Sequence, residues 1–599
     1  MPRRTARFRP HAATVTRRAD GCLLMQSSDA LGPVVARTGD WLHRWAAAAP
    51  ERLFLAERSG AGWRGESYGA ALEKVRAIAS ALLARGMGAG TPILVLSGNG
   101  VDHGLLALAA QYVGVPLTPV AEQYALVEAA HPRLAEVARI VRPRMVFAAD
   151  AGRHARALAL PDLAGAEIVA SDTAGQDRVT PFADLLRGGG GAPDAAHALT
   201  GPDTVAKILM TSGSTSAPKG VLTTQRMMCV NQAQLAHALP MLTDRPPVLV
   251  DWLPWNHVFG GSHNFNMALA HGGTLYIDDG KPAPGLFDRT LENLRLAAGT
   301  LSFNVPLGYA MLVAALEKDA TLRRRFFGDL DLMFYAGASL PQDVWQALER
   351  MAMEVRGEVP LMTTSWGLTE TAPACVLQQE PTDRSGVVGV PLPGVTVKLV
   401  PDHDMRCEIR VKGPNVTPGY FGDSDRTAQA FDDEGFLVTG DAMRFVDPDD
   451  PARGLRFDGR LSEDFKLLSG TWVRATQLRL ELLACLAPLA SDLVLTGADR
   501  DEIGVLIFPN PAAVRGAPDG EGALLDPELL AEIRRRLAAR PGTASSTRVA
   551  RALVLAEPPS MPEGEVTAKG NLNIRRVLAR RAALLDRLHA DDDPAVTRI

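Results

Sequence analysis

Residues 206–220 read AKILMTSGSTSAPKG: an apolar run, then Thr211, Ser212, Gly213, Ser214 and Thr215, then Lys219 and Gly220. Hydroxyls, glycine and one ammonium gathered behind a strand make a donor-rich loop of the kind that wraps a polyphosphate. It is not the Walker pattern, because Lys219 is followed by Gly220 rather than Ser or Thr and the glycine spacing differs. The theme recurs downstream. Residues 248–253 lead into PWNHVFGG, and 332–335 into AGASLP and a helix through Val344, Leu348 and Met351. Residues 360–364 lead into SWGLTE. Short strands alternating with helices predict parallel sheets covered by helices. Loops beyond the ends of such strands are where ligands bind in this class.

Working outward, Ser67 caps a helix through Leu72, Val75, Ile78, Leu82 and Leu83, with Gly86 as its stop. Residues 92–97 (PILVLS) read as a buried strand, and the Gly/Ala/Pro/Asp-rich 188–203 as a surface loop. After about Gly394 the texture changes. Residues 395–400 and 408–411 alternate like antiparallel strands and suggest a small barrel or sheet. Past Arg460 a separate α+β pattern begins, with strands at 491–496 and 503–508. An amphipathic helix is expected over 575–589, through Val577, Leu578, Ala582, Leu585 and Leu588. The fold class is therefore α/β, with a large N-terminal domain over 1–459 and a small α+β C-terminal domain over 460–599.

The 599 residues carry 63 basic against 68 acidic side chains, a near balance that gives no electrostatic footprint for nucleic acid. No run of 18 apolar residues exists, so no membrane insertion is expected. The most apolar stretch, 105–113, is broken by Gln111 and followed by Gly114 and Pro116. Arg3, Arg4, Arg7 and Arg9 have no apolar segment behind them and read as a basic arm rather than a secretory signal. Cys22, Cys229, Cys375, Cys407 and Cys485 are far apart, with no CxxC or Cys/His cluster. That argues against a zinc site or a disulfide frame and for a reducing cytoplasm. Only nine lysines are present, so a lysine inside a motif carries weight.

Three further segments join the first. Residues 365–370 (SWGLTE) offer an aromatic face, a hydroxyl and a carboxylate. Thr439-Gly440-Asp441 puts a carboxylate after a strand, suited to a ribose diol, and Gly459-Arg460 adds a cation. Singly, Trp366 reads as core, Glu370 as a solvated acid and Asp441 as a turn residue. Their joint order is much harder to explain blandly. The set resembles the adenylate-forming superfamily of acyl-CoA synthetases, adenylation domains and beetle luciferases, over about residues 41–576. Within it the chain looks most like feruloyl-CoA synthases of bacterial aromatic catabolism. That closer likeness rests on LPWNHVFGGSHNF (253–265), LYIDDGKP (275–282), FNVPLGYAML (303–312), EDFKLLSGTWV (463–473) and KGNLN (569–573).

The resemblance implies a role for each residue. Thr211, Ser212, Gly213, Ser214, Thr215 and Lys219 would hold the ATP phosphates. Gly337 and Ala338 would lie along the adenine, with Trp366 stacking on it beside Gly367. Thr369 would bind the α-phosphate, Glu370 the Mg²⁺, and Asp441 and Arg460 the ribose. His257 would sit beside the reacting carboxylate, and Lys569 of the mobile C-terminal domain would serve adenylate formation. The implied activity makes the CoA thioester of ferulate, coumarate or caffeate through an acyl-adenylate, using ATP, Mg²⁺ and coenzyme A. Trp255, Phe259, Phe265, Phe303, Tyr309 and Tyr335 are candidates for the aromatic slot by sequence position. A CoA ligase for another aryl or medium-chain fatty acid, a carrier-protein adenylation domain, and a non-catalytic nucleotide-binding protein remain alternatives. The sequence leaves a homodimer open.

Three departures from the family pattern stand out. Ser216 replaces the usual loop glycine. The stretch 460–470 is one residue longer than the common form, so the hinge falls on Ser462, Glu463 or Asp464. In Thr567-Ala-Lys569-Gly570-Asn571 a strict register puts Asn571 in the lysine position. Lys569 is the only lysine after Lys466, and it is the residue expected there.

Overall fold

The computed structural model describes residues 8–599 except 213–217, 284, 338, 403–405, 541–543, 561–562 and 567–571. The chain divides into two units. Met1–Pro401, Ile409–Thr439 and Arg444–Phe457 form the larger, and Asp402–Glu408, Gly440–Met443 and Asp458–Ile599 the smaller.

Two seven-stranded sheets dominate the larger unit. One runs Pro218–Thr224, Val205–Ser212, Leu117–Pro119, Ile93–Val95, Met145–Asp150, Glu167–Asp172, Thr180–Pro181. Its pairs are parallel except the first, a hairpin. The other runs Leu361–Thr363, Leu332–Tyr335, Leu301–Asn304, Val248–Asp251, Thr274–Ile277, Leu53–Ser59, Gly62–Ser67. It is parallel except for its last pair. Strands such as ILV at 93–95 and LMFY at 332–335 are buried throughout, as both-face coverage by helices requires.

The helices follow their sequence signals. Ser67 Oγ accepts from Ala70 N–H at 3.3 Å at the start of Tyr68–Ala84, and Gly86 adopts φ +69° just past its end. Gln342–Arg356 buries Val344, Trp345, Leu348 and Met351 on one stripe and stops at Gly357, φ +71°. Full burial of a side chain such as Leu348 contributes about 1.5–3 kcal/mol.

Of the barrel or sheet expected after Gly394, the structure has a sheet, nine-stranded and taking in Ala13–Arg17 and Leu23–Ser27 from the N-terminal region; Leu23–Ser27 pairs with Thr396–Pro401. Three expectations need correction. The loop over 188–203 contains the helix Pro193–Leu199, because Pro193 suits the first turn and Asp194 beside it favours the helix N-terminus. The helix over 575–589 is two, Ile574–Arg580 and Ala582–Leu588. Arg581 between them is buried, with Nε 2.7 Å from Glu565 Oε1 and its guanidinium 5.0 Å above the Phe508 ring. Residues 365–371 are a strand, Ser365–Gly367, and a 3-10 turn, Thr369–Thr371, rather than a plain loop.

In the smaller unit the strands Ala490–Thr496, Ile503–Pro509, Val549–Val554 and Val596–Arg598 form one sheet. Alternation splits its two faces: Leu493, Leu495, Val505 and Ile507 pack with Leu478, Leu482, Leu529 and Ile533. Val494, Leu506 and Phe508 pack with Val577, Leu584 and Leu588. Among the described residues no helix is long and apolar enough to cross a membrane, and none of the five cysteines is in a disulfide.

Candidate functional site

The hairpin Val205–Ser212/Pro218–Thr224 presents the donor-rich stretch. Thr211 stands opposite Lys219 and Met210 opposite Gly220. Lys219 is therefore on a strand and not in the loop, which fixes its Cα. Gly213, Ser214 and Thr215, and the side chain of Ser212, lie outside the described residues. A Cβ at Gly220 would come within 2.8 Å of Ile208 Cγ2, so the close pairing needs glycine.

A distant segment lies along this hairpin. Phe421 N–H donates to Gly220 O at 2.8 Å, Leu222 N–H to Gly419 O at 3.1 Å, and the Thr417 hydroxyl to Leu222 O at 2.7 Å. That brings Tyr420 to Lys219. Lys219 Nζ donates to Glu370 Oε1 at 2.7 Å and to the Tyr420 hydroxyl at 2.8 Å. The Tyr420 hydroxyl donates to the same Oε1 at 3.0 Å, and the ammonium lies 4.4 Å from the Tyr420 ring centroid. Burial works against the Lys219 charge, but the Glu370 carboxylate and both hydrogen bonds outweigh it and hold the pKa above the usual lysine value. Burial, then Glu370, push the Tyr420 phenol up.

Glu370 is positioned from two sides. Its carbonyl accepts from Thr417 N–H at 2.8 Å, and Asn415 Nδ2 donates to Thr371 O at 2.8 Å. Trp366 is buried on the preceding strand, and a Cβ at Gly367 would sit 1.8 Å from Pro373 O, so no other residue fits. Thr369 and Glu370 are both nearly buried. Thr364 donates from its hydroxyl to Tyr335 O at 2.6 Å, tying this segment to the strand that precedes Gly337. Gly337 has φ +89°, which glycine tolerates, and Ala338 lies outside the described residues.

His257 follows the strand Val248–Asp251 in that same parallel sheet, so its turn leaves the same strand ends as Gly337 and Thr364. His257 Nδ1 accepts from Phe259 N–H at 3.2 Å. A π-helical turn, Phe259–Asn264, comes next. Cβ atoms at Gly260 and Gly261 would lie 2.3 Å from Leu253 O and 2.2 Å from Trp255 O, so the two glycines permit the tight fold-back. The six aromatic candidates do not share one place. Phe259 and Phe303 pack edge-on at 6.1 Å, while Trp255 and Phe265 form a separate pair at 4.9 Å. Tyr309 is core, its hydroxyl donating to Ser302 O at 2.9 Å, and Tyr335 packs on Trp345 at 6.0 Å.

In the smaller unit Asp441 is buried within the strand Leu437–Phe445 rather than after it, and Arg460 Nε lies 3.4 Å from Asp441 Oδ1. Of the three hinge candidates, Ser462 and Glu463 lie in the 3-10 turn Leu461–Glu463. Glu463 Oε2 accepts from the Thr476 hydroxyl at 2.9 Å. Asp464 pairs with Arg406 and accepts from Ala475 N–H at 3.1 Å; burial raises its carboxyl despite that cation. Lys569 and Asn571 lie outside the described residues.

Sequence reasoning missed Tyr420 and Lys207. The signal for Tyr420 was an aromatic behind Pro418-Gly419, a turn pair with nothing in its neighbourhood to name a partner. Lys207 broke the apolar strand pattern and passed as noise.

Residues 42–421 match the family described as AMP-binding enzyme. The chain is 24% identical over 416 residues to a carboxylic acid reductase of Segniliparus rugosus, covering 65% of this chain and 33% of that protein. It is 26% identical over 402 residues to 4-coumarate–CoA ligase 2 of Oryza sativa subsp. japonica, covering 63% and 67%. The crystal structure of the anthranilate CoA ligase AuaEII in complex with anthranoyl-AMP superposes with a TM-score of 0.73 at 18% identity, covering 93% of this chain and 99% of that one. The match thus spans a third of the reductase and two thirds of the rice ligase.

Proposed function

Because the chain belongs to the AMP-binding enzyme family, we propose that it activates a carboxylic acid with ATP and passes the acyl group to coenzyme A. The acid in this reading is a hydroxycinnamate such as ferulate, coumarate or caffeate, and the reaction is cytoplasmic. The observation that carries it is the Lys219–Glu370–Tyr420 cluster at the loop end of the donor-rich hairpin's strands. An ammonium and a carboxylate side by side next to the donor-rich stretch support a role in holding phosphates and their counter-ion. The named activity of the 4-coumarate–CoA ligase relative supports the aryl acid. The domain roles follow the sequence: 1–459 binds nucleotide and acid, and 460–599 swings about Ser462–Asp464.

A carboxylate is a poor electrophile, and joining it to AMP gives it a good leaving group. In the first step a carboxylate oxygen bonds to the ATP α-phosphorus, and the bond from that phosphorus to the bridging oxygen breaks, releasing pyrophosphate. Positioning and charge neutralisation do the protein's share. Lys219 with Thr211, Ser212, Gly213, Ser214 and Thr215 holds phosphate oxygens; Thr369 holds the α-phosphate. Gly337, Ala338, Trp366 and Gly367 hold the adenine, Asp441 and Arg460 the ribose, and His257 orients the carboxylate. Lys569 serves this step alone and leaves when the C-terminal domain turns, opening the thiol path. In the second step the CoA sulfur bonds to the acyl carbon and AMP departs.

Among the described residues no group of three or more His, Cys, Asp or Glu could hold a metal alone. A single hard carboxylate, Glu370, suits Mg²⁺, which binds through one or two carboxylates plus substrate phosphates. When bound, that ion supplies charge neutralisation at the leaving pyrophosphate.

Isotope exchange between pyrophosphate and ATP over a panel of acids tests the reading. Exchange driven best by hydroxycinnamates is expected. Exchange with octanoate but not with ferulate or coumarate would make it a fatty-acid ligase, and no exchange with any acid would leave a nucleotide-binding protein.

A further inference from the structure

The side chain of Lys219 keeps 22% of its exposure, that of Glu370 only 9%. The ammonium is thus the half of the pair that solvent, and so a ligand, reaches, and the carboxylate is the hidden half. Nζ spends two of its three N–H donors on Glu370 Oε1 and the Tyr420 hydroxyl. The Tyr420 hydroxyl gives its own proton to the same Oε1. One oxygen therefore takes both donors.

The three members differ in freedom. Thr417 N–H and Asn415 Nδ2 hold the backbone at Glu370 and Thr371, and Tyr420 N–H donates to the Thr427 hydroxyl at 2.9 Å. Glu370 and Tyr420 are both nearly buried. Lys219 alone has a long, half-buried chain that swings outward without moving backbone. Ammonium and carboxylate cancel, so the empty cluster offers a polyphosphate no net positive charge. A nucleotide without a metal has to draw Lys219 off Glu370. That leaves a nearly buried carboxylate unpaired beside incoming phosphates, and losing one partner of such a pair is strongly unfavourable. The neutral hydrogen bond from Tyr420 does not replace a counter-charge. A nucleotide that arrives with a divalent cation gives Glu370 a new partner. Lys219 and then the Tyr420 hydroxyl are released to phosphate oxygens, and the cluster turns from neutral to net positive.

We propose that the Lys219–Glu370–Tyr420 cluster is a lock that selects the metal-bound nucleotide: in the empty site Glu370 withholds the phosphate-binding ammonium, and it gives that ammonium up to a nucleotide that supplies a divalent cation in its place. The inference rests on the ATP reading above and deepens it, since Glu370 then discriminates against metal-free nucleotide besides being the residue that would hold the cation. The coupling runs both ways, because whatever helps Glu370 let go of Lys219 also tightens the phosphates.

The test is calorimetric titration of ATP into the full chain at pH 7, without any acid, once in EDTA and once in excess Mg²⁺. In the wild type Mg²⁺ should tighten ATP by about tenfold to a hundredfold. Glu370→Gln keeps the shape and removes the counter-charge. Metal-free ATP should bind that variant about tenfold more tightly than wild type, while ATP with Mg²⁺ binds it more weakly, so the ratio falls toward one. In a Lys219→Met background there is no ammonium to release, and adding Glu370→Gln should improve metal-free binding by less than about threefold. If Glu370→Gln lacks a cooperative melt, Glu370→Ala carries the same expectation. Metal-free ATP that binds Glu370→Gln no better than wild type, or an equal gain in the Lys219→Met background, overturns the lock and leaves the ligase reading standing. A wild type that binds no ATP even with Mg²⁺ removes both.

Discussion

Lys219 and Lys207 stand on the two strands of one hairpin. Lys219 meets a carboxylate, and the attraction of Glu370 holds its pKa up against burial. Lys207 is almost fully buried and, among the described residues, bonds Gly261 O and, at 3.5 Å, Ser262 Oγ; burial pushes its pKa down to about 7. One ammonium is stored against a counter-charge that an anionic ligand can replace. The other is a clip that ties the hairpin to the π-helical turn Phe259–Asn264. The same side chain does two kinds of work, and its partner decides which.

The comparison breaks first at Lys219. Lys219→Met removes a phosphate ligand and strands the Glu370 carboxylate, so kcat/KM for ATP should fall about 10²–10³-fold. A fall below threefold in steady-state kinetics would detach Lys219 from the nucleotide. Glu370→Gln removes the attraction that holds Lys219 charged, so burial prevails and its pKa drops. The alkaline limb of the kcat/KM profile for ATP should therefore move to lower pH, alongside a loss on the order of tenfold to a hundredfold. Tyr420→Phe keeps the ring under the ammonium but loses two hydrogen bonds, for about a tenfold fall in the same constant and a lowered melting temperature.

Much of this was legible because local signals agreed. The apolar runs at 205–212 and 332–335 sit next to hydroxyl- and glycine-rich loops, and a buried parallel strand leaves such a composition whatever surrounds it. Tyr420 was not legible, because its partner lies about 200 residues away and only the pairing of Thr417–Phe421 with the hairpin joins them. The break at Arg581 was hidden likewise: helical spacing runs on through 575–589, and a buried ion pair with Glu565 overrides it.

An effect on stability rather than on rate sharpens the other half of the comparison. The Lys207 pKa lies near 7 in the folded chain against an ordinary 10.5, so between those values the unfolded chain binds more protons. Wild-type stability should thus fall as pH drops from about 10.5 to 7 and level off below. Lys207→Met lacks this term, so its stability relative to wild type should grow as pH falls across that window by up to about 4–5 kcal/mol, with loss of the bond to Gly261 O offsetting both ends alike. Denaturant melts at pH 7 and 10 check it; equal differences at both would show that Lys207 stays charged throughout.

What all of this presupposes is a carboxylate oxygen bonding to the α-phosphorus of ATP. Ferulate labelled with ¹⁸O in its carboxylate, turned over with ATP and coenzyme A, follows that oxygen by mass spectrometry. AMP carrying one ¹⁸O in its phosphate, formed one for one with feruloyl-CoA, is the expected product. ADP, or AMP free of label, would mean that the acid never joined the α-phosphate.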